Sequence, residues 1–412
     1  MRRMLSTLGI VLCLTSQAFS QKQSEVPQLD ANEISSAPPP KPLSPLEKKK
    51  RRANATVVTL LVSSLTETGA RFAEDIRNEI NTLGPDGVRV MPILGNGGQQ
   101  NLEDLLLLTG IDMAIVGEAN LDELKNSNPK LYGKIHKVVR YVAKLYNSEL
   151  HIIAREPFER LSDLRGKRVS FNLRNSQAHI VGKHLFQMAG LDCEISFYDN
   201  HEALEALRAG KLDAHLIVSG APQPFLENIE ASDGLHLIPV SEQDFAEGEA
   251  KPLYERYLPG ALTHEQYPNL IGADESVSTI ATRTLLAVYK WPRGSFRYRR
   301  IERFIKTFFD RSESLKKKAR HAKWRELNLA ADVPGWTRFE AARDWLAEYG
   351  ASHPVASIAN NSQESKIHET FQKFLTRHEQ LSGKKPKTDE ETEQLYRRFK
   401  QFMAFQDARP DE

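Results

Sequence analysis

Cysteine is nearly missing from this chain: of 412 residues only two are cysteine, Cys13 and Cys193. Cys13 falls in the apolar start of the sequence, so the rest of the chain carries one thiol and can form no internal disulfide. Stability must then come from a buried core. Cys193, in the strand-like Asp192-Cys-Glu-Ile-Ser-Phe-Tyr198, reads as a bystander of that core. Net charge is small too. The chain has 56 basic and 54 acidic residues, a formal charge of +2, which argues against bulk nucleic-acid binding. Long apolar runs are also lacking, and no later segment has the length or apolarity to cross a bilayer. Three common catalytic signatures are missing as well: Gly-x-Ser-x-Gly, His-Glu-x-x-His and Cys-x-x-Cys. His179 and His184 are five apart, so a helix does not stack them on one face. Ser314-Leu-Lys-Lys317 fits Ser-x-x-Lys only formally, without partner motifs. No catalytic residue, metal ligand or cofactor is expected.

What is present begins with Met1-Arg-Arg-Met4, an apolar stretch Leu5–Leu14, and the small-x-small site Ala18-Phe-Ser20. This is the pattern of a cleaved secretory signal peptide over 1–20, since the stretch is shorter than the about 20 residues of a spanning helix. Cleavage removes Arg2 and Arg3 and takes the formal charge from +2 to 0. Residues 21–54 are rich in Pro, Ser, Gln and Glu and end in Lys48-Lys-Lys-Arg-Arg52. A segment with so few apolar residues is expected to be a disordered linker. Its basic run is either simply solvated or touches anionic lipid.

From Thr56 onward strands and helices alternate. Thr56–Val62 is a continuous apolar strand, and Ala70–Leu83 places Phe72, Ile76 and Ile80 on one helical face. Further strands at Val88–Ile93 and Met113–Val116 flank a helix at Asn101–Leu108. Continuous apolar strands suggest a sheet covered on both faces, hence α/β. In such sheets ligands bind beyond the carboxyl ends of the strands. Four polar loops leave strands there. Gly95-Asn-Gly-Gly-Gln-Gln100 lets backbone approach a ligand and offers amides. Ser63, Ser64 and Thr66 place hydroxyls at a helix start, where capping is an equal reading. Arg174-Asn-Ser-Gln177 opens the helix Ala178–Ala189, and Ser219-Gly-Ala-Pro222 ends the strand Ala214–Val218. Helix N-termini favour an anion. Ser63, Ser64, Asn96, Gly97 and Gly98 from one lobe, with Arg174, Asn175, Ser176 and Ser219 from the other, are the candidate ligand-binding residues.

Several motifs form an ordered set: Val138–Tyr146, His151-Ile-Ile-Ala-Arg155 and Leu161-Ser-Asp-Leu-Arg-Gly-Lys-Arg-Val169, then Gly97-Gly-Gln-Gln-Asn101-Leu with Asp112-Met-Ala-Ile-Val116. Leu207–Ala214 with Ser219-Gly-Ala-Pro222, then Tyr257-Leu-Pro-Gly, Gln266-Tyr-Pro268 and Val277–Val288, complete the set. Together these motifs, in their order along the chain, resemble the TAXI family of solute-binding proteins of TRAP transporters, and the resemblance spans roughly residues 56–345. It implies a two-lobed type 2 periplasmic-binding fold that takes an organic acid or acidic amino acid and delivers it to a TRAP-type membrane permease. The chain departs from the family where Ser63-Ser-Leu-Thr-Glu-Thr-Gly69 lacks the usual tyrosines and where Gly117-Glu118 replaces a neutral pair. Glu118 would repel an anion, Arg174 would favour one, and an amino acid would satisfy both.

The expected organisation is a first lobe of 55–149 and 265–350, a second of 150–264, and a helical C-terminal extension, 351–412. Trp324, Trp336 and Trp345 should wrap the first lobe. Helices at Ile367–Leu375 and Glu391–Phe402, the latter with the capping box Thr388-Asp-Glu-Glu391, are expected to pack on the body or to support self-association. The expected setting is the periplasm, with a small carboxylate or amino-acid ligand, a permease partner and no nucleic acid. The rival reading is a ligand-sensing or scaffold protein acting through its C-terminal helices.

Overall fold

A computed structural model describes residues 42–82, 84, 87–245 and 251–352. The expected signal peptide over 1–20, residues 21–41 of the expected linker, and the extension beyond 352, with the two helices and capping box expected there, lie outside the described residues. The first element is α1 (Pro45–Thr56), so a helix stands where the sequence reading extends a disordered linker to residue 54. Its cause is a reciprocal cap. The Ser44 N–H donates to the Glu47 carboxylate at 2.7 Å, the Glu47 N–H donates to Ser44 Oγ at 3.2 Å, and Pro45 takes the first helical position.

The first lobe then continues as β1 (Val57–Val62), α2 (Thr68–Ile80), β2 (Arg89–Leu94), α3 (Gly98–Leu107), β3 (Met113–Gly117), α4 (Ala119–Ser127) and α5 (Pro129–Tyr132). The 17-residue β4 (Val139–Arg155) crosses to the second lobe. There the chain builds β5 (Arg168–Ser170), α6 (Gln177–Met188), β6 (Glu194–Ser196), α7 (Asn200–Arg208), β7 (Ala214–Ser219), β8 (Leu235–Leu237), α8 (Lys251–Arg256) and β9 (Leu258–Thr263). β10 (Ser276–Tyr289) returns, and α9 (Phe296–Asp310), α10 (Ser312–Leu315) and α11 (Glu340–Ser352) finish the first lobe.

The two lobes repeat one topology. In the first, β2-β1-β3 are parallel and β10 pairs antiparallel with β3; in the second, β6-β5-β7 are parallel and β4 pairs antiparallel with β7. Each lobe's last strand is therefore the one that has crossed from the other. This is the two-lobed α/β architecture expected from the sequence. Phe72, Ile76 and Ile80 of α2 pack with Ile301, Phe304, Ile305 and Phe308 of α9 in one core, while Phe171, Val181, Leu185 and Leu216 centre another in the second lobe.

After α10 the chain runs back over α2 to the strand crossing. Trp324, fully buried, stacks on Phe72 with ring centroids 3.9 Å apart, and its indole N–H donates to Asp75 at 2.9 Å. Arg320 and the His321 N–H also reach Asp75. Beside them the Lys323 ammonium is buried between the carboxylates of Glu149, on β4, and Glu326. Burial works to lower Lys323, but the two carboxylates outweigh it and push it up to about 12. Nearby, burial pushes the Lys144 ammonium down to about 8. Glu149 also accepts the Ala221 N–H at 3.0 Å, so this charge cluster ties the returning segment to the second lobe.

Removing one member of a buried pair strands the other in low dielectric. Lys323→Met is therefore expected to cost about 3–5 kcal/mol in urea denaturation. The double variant Glu149→Gln/Lys323→Met should recover part of that loss; a double variant as unstable as the sum of its singles would refute the coupling.

Candidate functional site

The loops that leave the parallel strands meet between the lobes. In the turn after β1, the Ser63 hydroxyl donates to the carboxylate of Glu67. Glu67 occupies the position before α2, yet its side chain caps no backbone N–H and turns into the cleft. Thr68 closes this turn onto the other lobe. Its N–H donates to Ser219 Oγ at 3.2 Å and its hydroxyl to the Gly220 carbonyl at 2.8 Å. Thr66 Oγ1 accepts from Asn200 Nδ2 at 3.0 Å, again across the lobes.

The Gly95–Gln99 loop runs through the left-handed region, with φ of 78° at Gly97 and 52° at Gly98. Its conformation is pinned by Asn101, whose Oδ1 accepts the Gly97 N–H at 3.0 Å. The Gln99 N–H then donates to the Asn175 carbonyl at 3.1 Å. A Cβ on Gly98 would stand 2.1 Å from that carbonyl oxygen, so only glycine permits this approach of backbone to backbone. Ser176 caps α6 by accepting the His179 N–H at 3.2 Å.

Between these loops lies a cleft with about 30 Å³ of room, enough for roughly two waters. Five of the nine sequence candidates line it: Ser63, Gly97, Gly98, Ser176 and Ser219. Four do not. Ser64 Oγ meets Thr66 Oγ1 within its own turn at 3.0 Å. Asn96 is exposed and donates to Gln100. Arg174 lays its guanidinium over the Phe197 ring, 4.0 Å from the centroid, on the exposed side of the loop. Asn175 is exposed and contributes its carbonyl to the lobe contact. Glu118 is also outside the lining, held by the Arg283 guanidinium at 2.8 and 3.0 Å.

Sequence reasoning missed Glu67, Tyr146, Ser148, Gln177 and Thr284, all of which line the cleft. Tyr146 and Ser148 lie in mid-β4 and Thr284 in mid-β10, where a strand reading sees only alternation; Ser148 and Thr284 share a 2.7 Å hydroxyl contact. Gln177 buries its Nε2 with no partner among the described residues, over Gly117, where a Cβ would collide with it at 2.3 Å. A buried orphan donor of this kind calls for an acceptor. No lysine, arginine or histidine lines the cleft among the described residues. Burial pushes the Glu67 carboxyl up, with the Ser63 hydroxyl pulling the other way. Burial and the nearby Glu67 charge raise the Tyr146 hydroxyl far above its ordinary range. The cleft thus offers one carboxyl, several hydroxyls, an orphan amide donor and the starts of α2, α3 and α6.

The sequence matches the model of the NMT1-like family over residues 71–350. The chain belongs to that family. Three solved structures are also similar in shape. The alkanesulfonate-binding protein SsuA from Xanthomonas axonopodis pv. citri, bound to MOPS, is 15% identical over 66% of this chain and 77% of its own, with a TM-score of 0.39. Holo ArgBP from T. maritima is 15% identical over 65% and 94%, with a TM-score of 0.37. The regulatory domain of Synechocystis CcmR, in complex with 2-PG, is 15% identical over 64% and 98%, with a TM-score of 0.39.

The Gly98–Asn175 approach gives a direct test of lobe closure. Gly98→Ala should hold the lobes apart and raise the radius of gyration in small-angle scattering. Gly110→Ala, where a Cβ meets nothing within 4 Å, is the control. Equal scattering from the two variants would show that the contact does not govern closure.

Proposed function

We propose that this NMT1-like family member is a two-lobed solute-binding protein working in the periplasm. It captures a small ligand between its lobes and delivers it to a membrane permease of the TRAP type. The observation that carries this reading is the convergence of polar loops from both lobes on one enclosed cleft, with hydrogen bonds that form only when the lobes meet. Among the described residues no helix is long and apolar enough to cross a membrane.

Within the ligand class expected from sequence, the lining favours an amino acid over a simple organic acid. Arg174 faces away from the cleft and Glu67 faces into it. An ammonium group suits Glu67, and a carboxylate suits Gln177 Nε2 and the starts of α3 and α6. Ser63 and Ser219 supply hydroxyls, and Gly97, Gly98 and Ser176 shape the wall. A ligand of that size enters with the lobes apart, because the closed cleft leaves only about 30 Å³. That tightness also favours a second reading, a scaffold or sensor that closes on itself and acts through a partner.

A thermal-shift screen of the protein against amino acids and their deaminated acids separates the two. A ligand at 100 times its Kd adds about 2.7 kcal/mol of stability. An amino acid should shift melting more than the matching acid, and Glu67→Gln should weaken it by about one to two orders of magnitude, the range of a hydrogen bond to a charged group. A flat screen would move the conclusion to the scaffold.

A further inference from the structure

Outside the cleft, one stretch of the first lobe is dense in basic residues. Between Lys290 and Lys306 there are seven basic residues and one acidic residue, Glu302, although the whole chain has a net charge of only +2. Arg299 and Lys306 are exposed on α9, and so is Phe296 at 48%. Two other segments join them. The Arg297 guanidinium donates to the carbonyl of Thr109, just past α3, where Leu107 and Leu108 are 62% and 51% exposed. The Arg300 guanidinium donates to the Asn54 carbonyl at 3.3 Å, which brings the exposed Lys50-Arg-Arg52 turn of α1 alongside.

We infer that this face, built from the end of α1, the end of α3 and the start of α9, is a docking surface for an anionic phospholipid membrane. Arg300 and Arg293 are already paired with Asp112 and Asp344, so it is the exposed Lys50, Arg51, Arg52 and Arg299 that match lipid phosphates, each worth about 1 kcal/mol near such a surface. The exposed leucines and Phe296 match the boundary between headgroups and acyl chains, which polar partners would leave uncovered. A nucleic acid would meet the charges but not the leucines. Lipid docking brings the first lobe to the bilayer without a spanning helix. It draws on no residue of the cleft, so it stands or falls apart from the ligand.

The test is flotation of the full chain with vesicles of phosphatidylcholine alone and with one-third phosphatidylglycerol, read as the difference between the two. Binding to the anionic vesicles should exceed binding to the neutral ones and fade as salt rises toward about 0.5 M. Arg51→Gln/Arg52→Gln should reduce the anionic component about 30-fold, and Leu107→Ser should reduce it further while leaving the salt dependence in place. Both substitutions are at exposed positions, and unchanged melting confirms that the fold is kept. Equal binding to both vesicle types, or full binding by the double variant, would overturn the assignment. So would binding to DNA in place of vesicles.

Discussion

The antiparallel pairing of β4 with β10 is the constraint both lobes share, because each of these strands closes the sheet of one lobe after crossing from the other. The pairing runs from Ala281 opposite Glu149 to Tyr289 opposite Val139, and its register shifts between Thr284 and Leu285. A bulge there re-aims side chains and increases local twist. Tyr146, Ser148 and Thr284 line the cleft although they sit in strands that elsewhere bury apolar residues. The floor of the cleft is thus made by the element that joins the lobes, and a ligand resting on it would touch the hinge itself.

Closure across that hinge uses few side chains. Its contacts are a backbone bond from Gln99 to Asn175, the Thr68–Ser219 and Thr68–Gly220 bonds, and the Thr66–Asn200 pair. On the flank, His321 meets the Pro222 carbonyl at 3.2 Å, and Glu123 of α4 lies 3.5 Å from His184 of α6. Bonds of this kind contribute about 1 kcal/mol each, which suits a reversible clamp better than a fixed interface. The returning segment around Lys323 differs: its buried charges hold it to α2 and β4, and it reaches the second lobe mainly through Glu149.

The alternation of strands and helices was legible because its signals are local: continuous apolar strands, glycine after helices, and loops where strands end. The same logic put Ser63, Gly97, Gly98, Ser176 and Ser219 at the cleft. Arg174 is placed elsewhere: its loop turns through left-handed Asn172 and Asn175, and the arginine lies over the Phe197 ring. Two positive-φ asparagines reverse a loop's facing, and nothing in residue type alone announces which of its side chains points inward. Glu67 was hidden for a related reason. A glutamate before a helix reads as a surface charge, and only the Ser63 bond and the lobe opposite make it a cleft residue. The helix at Pro45–Thr56 was hidden by composition, since prolines suggest extension while the cap from Ser44 to Glu47 works at a span of three residues.

Charge shows the same separation of scales. A near-neutral total excludes strong attraction to a polyanion at long range, where salt screens individual groups. It says little about a face a few residues wide. Here the acidic group that counts lies in a cleft with no basic residue in its lining among the described residues, and exposed basic residues stand on α1 and α9, with Phe296 exposed beside them. The two regions obey opposite rules. In the cleft low dielectric amplifies a single carboxyl, whereas on α9 water weakens each cation, so only several acting together have an effect. Selectivity for a small ligand can therefore reside in one residue, while attachment to a surface requires a patch.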